Sequence, residues 1–436
     1  MVRRALLIAG VSSLFVAVAF AAERRRAVAP LGPPTFSREI VRIFQEHCQS
    51  CHHPGGIGPF SLTSYETSHP QAALIRTMTS TRKMPPFRHA EGCGDFVNPN
   101  RLSPGEIAAI STWAGAGAPE GNRADLPSPL TFTDGWALGE PDIVAMLPKP
   151  YLGSSTDDTF RIFPLPTVFD HDTYVTAIEV RPGEPRYVHH VAIMTDASGK
   201  AEELDARDEE PGYFIGADIG FEPSSFLGSW TPGQKPFFLP EGYAFHIPAG
   251  SRLVMDLHLR NSGGQILPDQ TMIGLHVATG PIQKVVRYSA VDNSSFIVPA
   301  NDPAYHVRQS WTTDRALHIV GIGAHAHRLA RTFNATATFP DGTKHCLIQI
   351  NDWDWQWQGL YPYVEPMAIP AGTRIDMEVV YNNTTSNPFQ FFFPPKDIPY
   401  GGSGTENEMC RVYFTYTWDD ESVQDARAKP IPYACH

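Results

Sequence analysis

Apolar side chains recur at helical spacing in the first part of the chain, from about residue 34 to 122. Ile40 and Phe44 fall on one face of a predicted helix that Ser37 can cap, and this helix leads directly into Cys48. Long helical patterns are absent from the later part of the sequence. The first part is therefore predicted to be a small all-α domain.

The sequence "SPGEIAAISTWAGAG" predicts a second helix in this domain. Ser103 is a suitable N-cap, Pro104 occupies the first helical position, and Glu106 completes a capping box. Gly115 can end the helix. Helices are thus expected on both sides of the first two cysteines.

The period of the pattern changes to two after a linker at residues 123–140, which is rich in proline and charge. Segments such as "TYVTAIEV", "TRIDMEVVYNN" and "CRVYFTYTW" alternate or are rich in β-branched and aromatic residues, and turn-forming residues separate them. This part of the chain is about twice as long as one sandwich of roughly 100 to 150 residues. We predict two consecutive all-β sandwich domains, at residues 141–290 and 291–436.

The N-terminus has the pattern of an export signal. Two arginines precede an apolar run at residues 5–20, and a small-x-small cleavage site follows at residues 19–21. Residues 1–22 are predicted to be a signal peptide, so the mature protein is expected to be periplasmic or secreted. The alternative is a protein with an N-terminal membrane anchor that faces the periplasm. The net charge of -12 argues against nucleic acid as a partner.

The spacing Cys48-x-x-Cys51-His52 is the attachment signature of a c-type haem. Two cysteines about one helical turn apart can add to the haem vinyl groups, and the following imidazole can bind the iron. One covalently attached haem c is therefore predicted, although C-x-x-C also occurs in thioredoxin-like and metal-binding sites. The remaining cysteines, which can form two disulfides in any of three pairings, are Cys93, Cys346, Cys410 and Cys435.

The second axial ligand of the iron is expected from a downstream loop. Met84 precedes two prolines, which force an extended path and keep the thioether out of a helix. We therefore predict Met84 as the ligand. The competing candidates are Met78, His53, His69 and His89. The flanking helices and the Lys-Met-Pro-Pro sequence together resemble a small cytochrome c domain, at residues 34–122.

A histidine pair in the second β region is the strongest local signal for a metal other than the haem iron. His325 and His327, two residues apart, would lie on the same face of a strand and can chelate one ion. His189 and His190 are adjacent, so they would point to opposite faces of a regular strand. They can share a metal only at a strand end or a twisted edge.

The order of these motifs carries more information than any one of them. His258 or Met409 alone is more often a hydrogen-bonded core histidine or a packing methionine. Over residues 160–420, however, His-His, a single His in "DLHLRN", His-x-His and Glu-Met-Cys follow one another. In this order the chain resembles the copper type II, ascorbate-dependent monooxygenases, which implies two jelly-roll-like sandwich domains.

The resemblance also implies two copper ions and their ligands. The residues implied to hold an electron-transfer copper are His189, His190 and His258. The residues implied to hold an oxygen-binding copper are His325, His327 and Met409. Tyr413 matches a tyrosine near the oxygen-binding copper of the family, with packing as its alternative role.

Departures from the family bear on the substrate. Gly323 occupies the position where the peptide-hydroxylating enzymes carry an arginine that grips the substrate carboxylate. Glycine-extended peptides are therefore not expected as substrates. Val191 replaces the methionine of the family's His-His-Met, and the cysteine that shortly follows it in the animal enzymes is missing. Arg411 can contact a substrate or face solvent.

Three tryptophans alternate in the sequence "NDWDWQWQGLYPY". On a strand, Trp353, Trp355 and Trp357 would share one face, where they could form an aromatic-binding platform or part of the core. Core packing is the favoured interpretation, because tryptophan commonly fills such positions.

Together these features predict a copper monooxygenase that hydroxylates an unknown small organic substrate with O2. Electrons would come from an external donor, either an ascorbate-like reductant or a redox protein. They would pass through the haem to the copper at His189 and then to the copper at His325. The alternative is a copper and haem protein for electron transfer or redox sensing without hydroxylase activity. A third interpretation, carbohydrate-binding sandwiches with structural histidines, predicts no copper.

Overall fold

The computed structural model describes residues 32–86, 89–97, 100–132, 135–156, 158–216, 218–260, 267–401 and 406–428. This part of the chain is mostly β-sheet, and most of its short helices lie near the N-terminus. The predicted signal peptide at residues 1–22 lies outside the described residues. None of the described helices is long and apolar enough to cross a membrane.

The helices are short, and the first of them leads to the cysteine motif. The α-helices are α1 (Val41–His47), α2 (Tyr65–Ser68), α3 (Ala72–Ser80), α4 (Pro104–Gly115), α5 (Lys200–Asp205) and α6 (Val423–Ala428). A π-helical turn, Phe36–Ile40, precedes α1, and 3-10 turns lie at His69–Gln71 and Arg123–Asp125.

The predicted cap of the first helix is wrong. Ser37 is buried inside the π-helical turn, and the N-cap position is Thr35. The Thr35 N–H donates to the Glu39 carboxylate at 2.9 Å. The helical path therefore begins before Ser37, because Glu39 satisfies a free backbone donor one turn earlier.

The second predicted helix is confirmed as α4. The Ser103 hydroxyl accepts the Glu106 N–H at 3.2 Å, and the Glu106 carboxylate accepts the Ser103 N–H at 2.7 Å. This is the predicted capping box. Trp113 of α4 is fully buried, and its ring packs against those of Phe36 and Phe44 in the core of the helical region.

The strands begin after the linker. They are β1 (Ile143–Met146), β2 (Thr159–Val168), β3 (Thr173–Arg181), β4 (Val188–Asp196), β5 (Ser225–Trp230), β6 (Tyr243–Ile247), β7 (Arg252–Leu259), β8 (Met272–Val277), β9 (Lys284–Asp292), β10 (Ile297–Val298), β11 (Tyr305–Thr312), β12 (Leu317–His325), β13 (Ala330–Thr338), β14 (Lys344–Ile350), β15 (Leu360–Ile369), β16 (Arg374–Tyr381), β17 (Ile398–Pro399) and β18 (Arg411–Trp418).

One sheet connects the two halves of the β part. It has the strand order β1-β8-β3-β6-β9-β18-β12-β15, and β6 pairs with β9 in parallel where the halves meet. Two four-stranded sheets, β2-β7-β4-β5 and β11-β16-β13-β14, belong to the first and second halves respectively. The predicted β-sheet character after residue 140 is thus confirmed, whereas the two sandwich domains, their bounds and their jelly-roll form stay predictions.

Each half has its own main hydrophobic core, and the boundary between the two cores runs through β9, although Val320 of β12 packs into the first core. Val286 belongs to the first core, whereas Val291 belongs to the second. Phe96 of the helical region is also buried in the second core. The helical region is therefore packed into the second half of the β part and is more than a tethered neighbour.

A disulfide strengthens this attachment. It joins Cys93 of the helical region to Cys346 of β14. Of the other two cysteines predicted to form disulfides, Cys410 is buried, with its sulfur 3.9 Å from that of Met377, and Cys435 lies outside the described residues.

Residues 351–359, here called the tryptophan loop, connect β14 to β15 and form no strand. The prediction that Trp353, Trp355 and Trp357 share one face of a strand is wrong, because the chain turns at residues 355 and 356. Trp353 nevertheless lies in the second core, with its ring 4.6 Å from that of Phe333.

Candidate metal centres

The cysteine motif follows directly from α1. Cys48 ends that helix, and the His52 N–H donates to the Cys48 carbonyl at 2.9 Å, which places the three side chains on one turn of the chain. His52 Nδ1 lies 3.0 Å from the Phe60 carbonyl oxygen. As a donor to that carbonyl, Nδ1 carries the proton and Nε2 keeps its lone pair for iron. The geometry fits a haem attached at this motif.

Met84 lines a cavity of 470 Å³ in the helical region, together with His89 and Ile107. Asn100 also lines the cavity, and its side-chain amide donates to the carbonyl of His47, the residue before Cys48, at 3.2 Å. His53 instead stacks on Phe132. His69 lies beside Tyr65, and Met78 lies in α3. Met84 stays the predicted second ligand, with His89 at the same cavity.

His189, His190 and His258 form a cluster across two adjacent strands. The first two lie in β4 and the third in β7, where His190 is directly opposite His258. The register between the strands shifts at residues 188–190, as in a β-bulge. Because a bulge re-aims a side chain, the adjacent His189 and His190 can point to the same place instead of to opposite faces.

The nitrogens of this cluster converge. His189 Nδ1 lies 3.2 Å from His190 Nδ1 and 3.1 Å from His258 Nδ1. Each residue offers a ligand atom, and these atoms all lie within 4.8 Å of one another. His258 Nε2 lies 3.1 Å from Asp158 Oδ2, which can accept its proton and so leaves Nδ1 for a metal.

Burial keeps these imidazoles neutral. It lowers the pKa of His189 to about 3, and the neighbouring His258 adds to the effect. Burial also lowers the pKa of His190 well below its usual value. Neutral imidazole is the form that binds a metal, and three such ligands suit copper.

His325, His327 and Met409 form the second cluster. His325 ends β12, His327 follows it, and Met409 directly precedes Cys410 and β18. His325 Nε2 lies 3.3 Å from the Met409 sulfur, and the His325 and His327 rings are 5.4 Å apart. The structure thus brings Met409 into contact with a histidine that lies 84 positions earlier in the sequence.

An acceptor holds one nitrogen of each histidine in this cluster. His325 Nδ1 is hydrogen-bonded to Gln358 Oε1. His327 Nδ1 lies 2.6 Å from the Asn407 carbonyl oxygen. Both Nε2 atoms can therefore serve as ligands. Two imidazoles and a thioether form a soft ligand set that suits Cu(I).

Glu408 fixes the backbone around this cluster. Its buried carboxylate accepts the His327 N–H at 3.0 Å and the Leu329 N–H at 2.6 Å. Burial raises the pKa of Glu408 to about 8 despite these hydrogen bonds. The carboxylate ties the Met409 segment to the His-x-His segment.

The two clusters open on one cavity of 620 Å³. His190 of the first cluster and His325 and Met409 of the second all line it. The other lining side chains include the aromatic residues Phe221, Phe226, Tyr288, Tyr400 and Tyr413 and the acidic residues Asp218, Glu222 and Asp256. A small organic molecule in this cavity would contact both clusters.

Tyr413 occupies the space next to Gly323. A Cβ atom at Gly323 would lie 2.3 Å from Tyr413 Cζ. The Tyr413 hydroxyl lies 3.5 Å from the Gln358 carbonyl oxygen, and its ring stacks on that of Tyr288. An arginine cannot stand at this position without moving Tyr413. Arg411 is paired with Asp292 at 2.9 Å.

The sequence did not reveal the side chains that support the ligands. Asp158, Gln358 and the Asn407 carbonyl each contact a predicted copper ligand. Trp355 packs its ring 5.3 Å from that of His189. Asn407 is close in sequence to Met409, which is a weak signal. The other contacts join distant parts of the chain, so no local spacing identifies them.

Comparisons with known proteins found a family match for two regions of the chain. Residues 37–95 match the family described as cytochrome C oxidase, cbb3-type, subunit III. Residues 287–429 match the copper type II ascorbate-dependent monooxygenase, C-terminal domain. The comparison with curated proteins found no match.

Solved structures with some similarity include viral capsid proteins. The VP2 subviral particle of infectious bursal disease virus is 11% identical, covers 67% of this chain and 83% of its own, and has a TM-score of 0.16. The major capsid protein P2 of bacteriophage PM2 is 10% identical, covers 61% of this chain and 99% of its own, and has a TM-score of 0.23. Such low scores support no conclusion about fold or function. The family matches are more informative: the chain combines a helical region that matches the cbb3-type cytochrome c oxidase subunit III family with a C-terminal region that matches the copper type II ascorbate-dependent monooxygenase family.

Proposed function

We propose that this protein hydroxylates a small organic substrate with O2, using copper at two sites and electrons that arrive through a covalently attached haem c. The observation that carries the proposal is the shared cavity, which His190, His325 and Met409 all line. A substrate there would lie beside both ligand clusters. Export to the periplasm or secretion, where haem attachment and disulfides are possible, is part of the proposal.

The chain's residues define what each site would hold. His189, His190 and His258 would hold one copper, and the cluster of His325, His327 and Met409 would hold the other. When bound, copper supplies one-electron redox chemistry and a site for O2. The overall reaction is R–H + O2 + 2e⁻ + 2H⁺ → R–OH + H2O, so the substrate alone cannot supply the electrons. An ascorbate-like reductant or a redox protein is the proposed external donor.

The cavity favours a neutral or cationic substrate. Its walls combine aromatic rings with the carboxylates of Asp218, Glu222 and Asp256. Gly323 offers no cation, and the guanidinium of Arg411 is already paired with Asp292. A substrate anchored by its own carboxylate would therefore meet like charge without a free partner.

Metal analysis with copper EPR tests the two sites. The full chain, matured in a periplasm, should bind two coppers per haem, and His325→Ala should bind one. A chain that carries zinc, or no metal, would contradict the proposal.

Replacement of Met409 tests the chemistry. Met409→Leu removes the soft ligand, so oxygen uptake by the copper-loaded chain with ascorbate should fall by about 100-fold, while reduction of the haem is unchanged. Met367→Leu is the matched control, since Met367 is half-buried in the same half of the β part. Oxygen uptake that survives Met409→Leu would show that the Met409 cluster is not the site where O2 reacts, and wild-type protein that takes up no oxygen would indicate an electron-transfer or sensing protein.

A further inference from the structure

The tryptophan loop begins at the cavity that Met84 lines. Asn351 and Asp352, its first two residues, form part of that cavity wall. The helical region also forms backbone hydrogen bonds with the residues on both sides of the loop. The Ala90 N–H donates to the Gln349 carbonyl at 2.6 Å, just before the loop. After it, the Val97 N–H donates to the Pro362 carbonyl at 2.8 Å.

The same loop reaches both ligand clusters. Trp353 Nε1 donates to the His327 carbonyl at 3.1 Å, and Gln358 holds His325 as described above. Trp355 packs against the ring of His189, which belongs to the first half of the β part. Nine consecutive residues thus reach the cavity of the predicted haem ligand Met84 at one end and both histidine clusters further along.

Trp355 lies between the two halves in a strongly cationic setting. Its ring is buried, and the guanidinium groups of Arg260 and Arg328 lie 5.6 Å and 4.8 Å from the ring centre. Arg260 closely follows His258, and Arg328 directly follows His327. Two adjacent cations disfavour a positive charge on the indole. The ring can therefore bridge two redox sites, whereas its own oxidation is opposed.

We infer that the tryptophan loop is the route by which electrons leave the haem, and that Trp355 is the residue through which they reach the cluster of His189, His190 and His258. This inference rests on the proposed function. The step moves one electron and no proton. The haem iron is oxidised from ferrous to ferric, copper at the three histidines is reduced from cupric to cuprous, and Trp355 is unchanged.

Structural packing alone would also bury Trp355, so the test must follow the electron and not activity. The full chain, loaded with haem and copper and free of oxygen, is given less than one electron per haem by flash photoreduction. Haem absorbance then reports how fast the haem is reoxidised. Trp355→Leu removes the aromatic bridge, Trp355→Phe keeps a smaller one, and Trp357→Leu is the matched control in the same loop.

Reoxidation should slow by about tenfold or more in Trp355→Leu, the scale on which loss of an outer partner of a metal ligand commonly lowers metal affinity or activity. Trp355→Phe should fall between Trp355→Leu and the wild type, and Trp357→Leu should match the wild type. Copper EPR and direct reduction of copper by ascorbate should be unchanged in Trp355→Phe. That variant keeps the test valid if Trp355→Leu binds less copper.

Two failures can be told apart. Reoxidation at the wild-type rate in both Trp355 variants, with copper bound, would overturn the role of Trp355 and leave the proposed function intact. A wild-type haem that stays reduced beside bound cupric ion would overturn haem-driven delivery itself, and this inference with it.

Discussion

At the scale of single residues, the candidate metal sites share one arrangement of their histidines. Each of several histidines holds one ring nitrogen against an acceptor and directs the other towards a possible metal. The pairs are His52 with the Phe60 carbonyl, His258 with Asp158, His325 with Gln358, and His327 with the Asn407 carbonyl. Such partners fix the tautomer and the ring orientation, and therefore prepare the site before any ion binds.

Gly323 shows how one missing Cβ shapes a site. In Gly323→Ala the new atom would lie 2.3 Å from Tyr413 Cζ, inside a packed region. We expect a loss of about 1 to 3 kcal/mol in the free energy of unfolding, because a buried ring must move. Urea unfolding of the full chain measures this.

Gly280→Ala is the control for this substitution, because a Cβ there would meet no atom within 4 Å. The control should be as stable as the wild type. Equal stability of Gly323→Ala and the wild type would show that Tyr413 does not require the glycine.

At the scale of elements, short irregularities place the ligands. The shift in register at residues 188–190 lets two adjacent histidines of β4 act together, although strand alternation alone would separate them. The tryptophan loop is also irregular, because its residues form no strand. It therefore contacts parts of the molecule that a continuous strand would not reach. Segment 89–97 forms isolated β-bridges to both strands that flank this loop, β14 and β15.

The Cys93–Cys346 disulfide should stabilise that junction. It joins residues that are 253 positions apart in the sequence. Removing such a bond commonly lowers the free energy of unfolding by about 2 to 5 kcal/mol, because the unfolded chain regains conformational freedom. The double variant Cys93→Ser, Cys346→Ser should unfold at lower urea concentration, and amide exchange in segment 89–97 should be faster.

Treatment with a thiol reductant provides the control for this variant. It should bring the wild type to the level of the double variant and leave the double variant unchanged. Wild-type protection of segment 89–97 in the double variant would show that the hydrogen bonds and Phe96 suffice.

At the scale of the whole molecule, the helical region and the β part form a joint structure. His89 is buried at their interface, between the rings of Phe96 and Tyr361. One sheet runs through both halves of the β part, and one cavity receives ligands from both halves. Changes in this interface should therefore alter the stability of the molecule as a unit.

The stability of this interface should depend on pH. Burial, followed by the charge of Arg101, lowers the pKa of His89 to about 4. The unfolded state takes up a proton near pH 6.5, and the folded state does so only near pH 4. The contribution of neutral, buried His89 to stability is therefore fully present above about pH 6.5 and is lost as the pH falls towards 4.

Thermal unfolding between pH 7.5 and 4.5 measures this loss. His89→Gln should show a smaller decrease in Tm over this range than the wild type. The other buried histidines titrate in both proteins, so the difference between the two isolates His89. Equal slopes would exclude His89 as the cause.

Sequence alone determined the features that depend on neighbours along the chain. The haem motif at Cys48, Cys51 and His52, the capping box of α4 and the change from helical to alternating pattern are all local. The order of histidine motifs indicated the monooxygenase family for the same reason, since ligand types and their sequence are written in the chain. The directions of adjacent side chains could be predicted only for a regular strand. The sequence therefore did not show that His189 and His190 point to the same place.

Tertiary structure decided everything that depends on contacts between distant segments. It selected Cys346 as the partner of Cys93, gave His325 its contacts with Gln358 and Met409, and placed Trp355 against His189. It also filled the space beside Gly323 with Tyr413. These contacts depend on how strands pair and how sheets pack, and many distant pairings are compatible with the same local pattern.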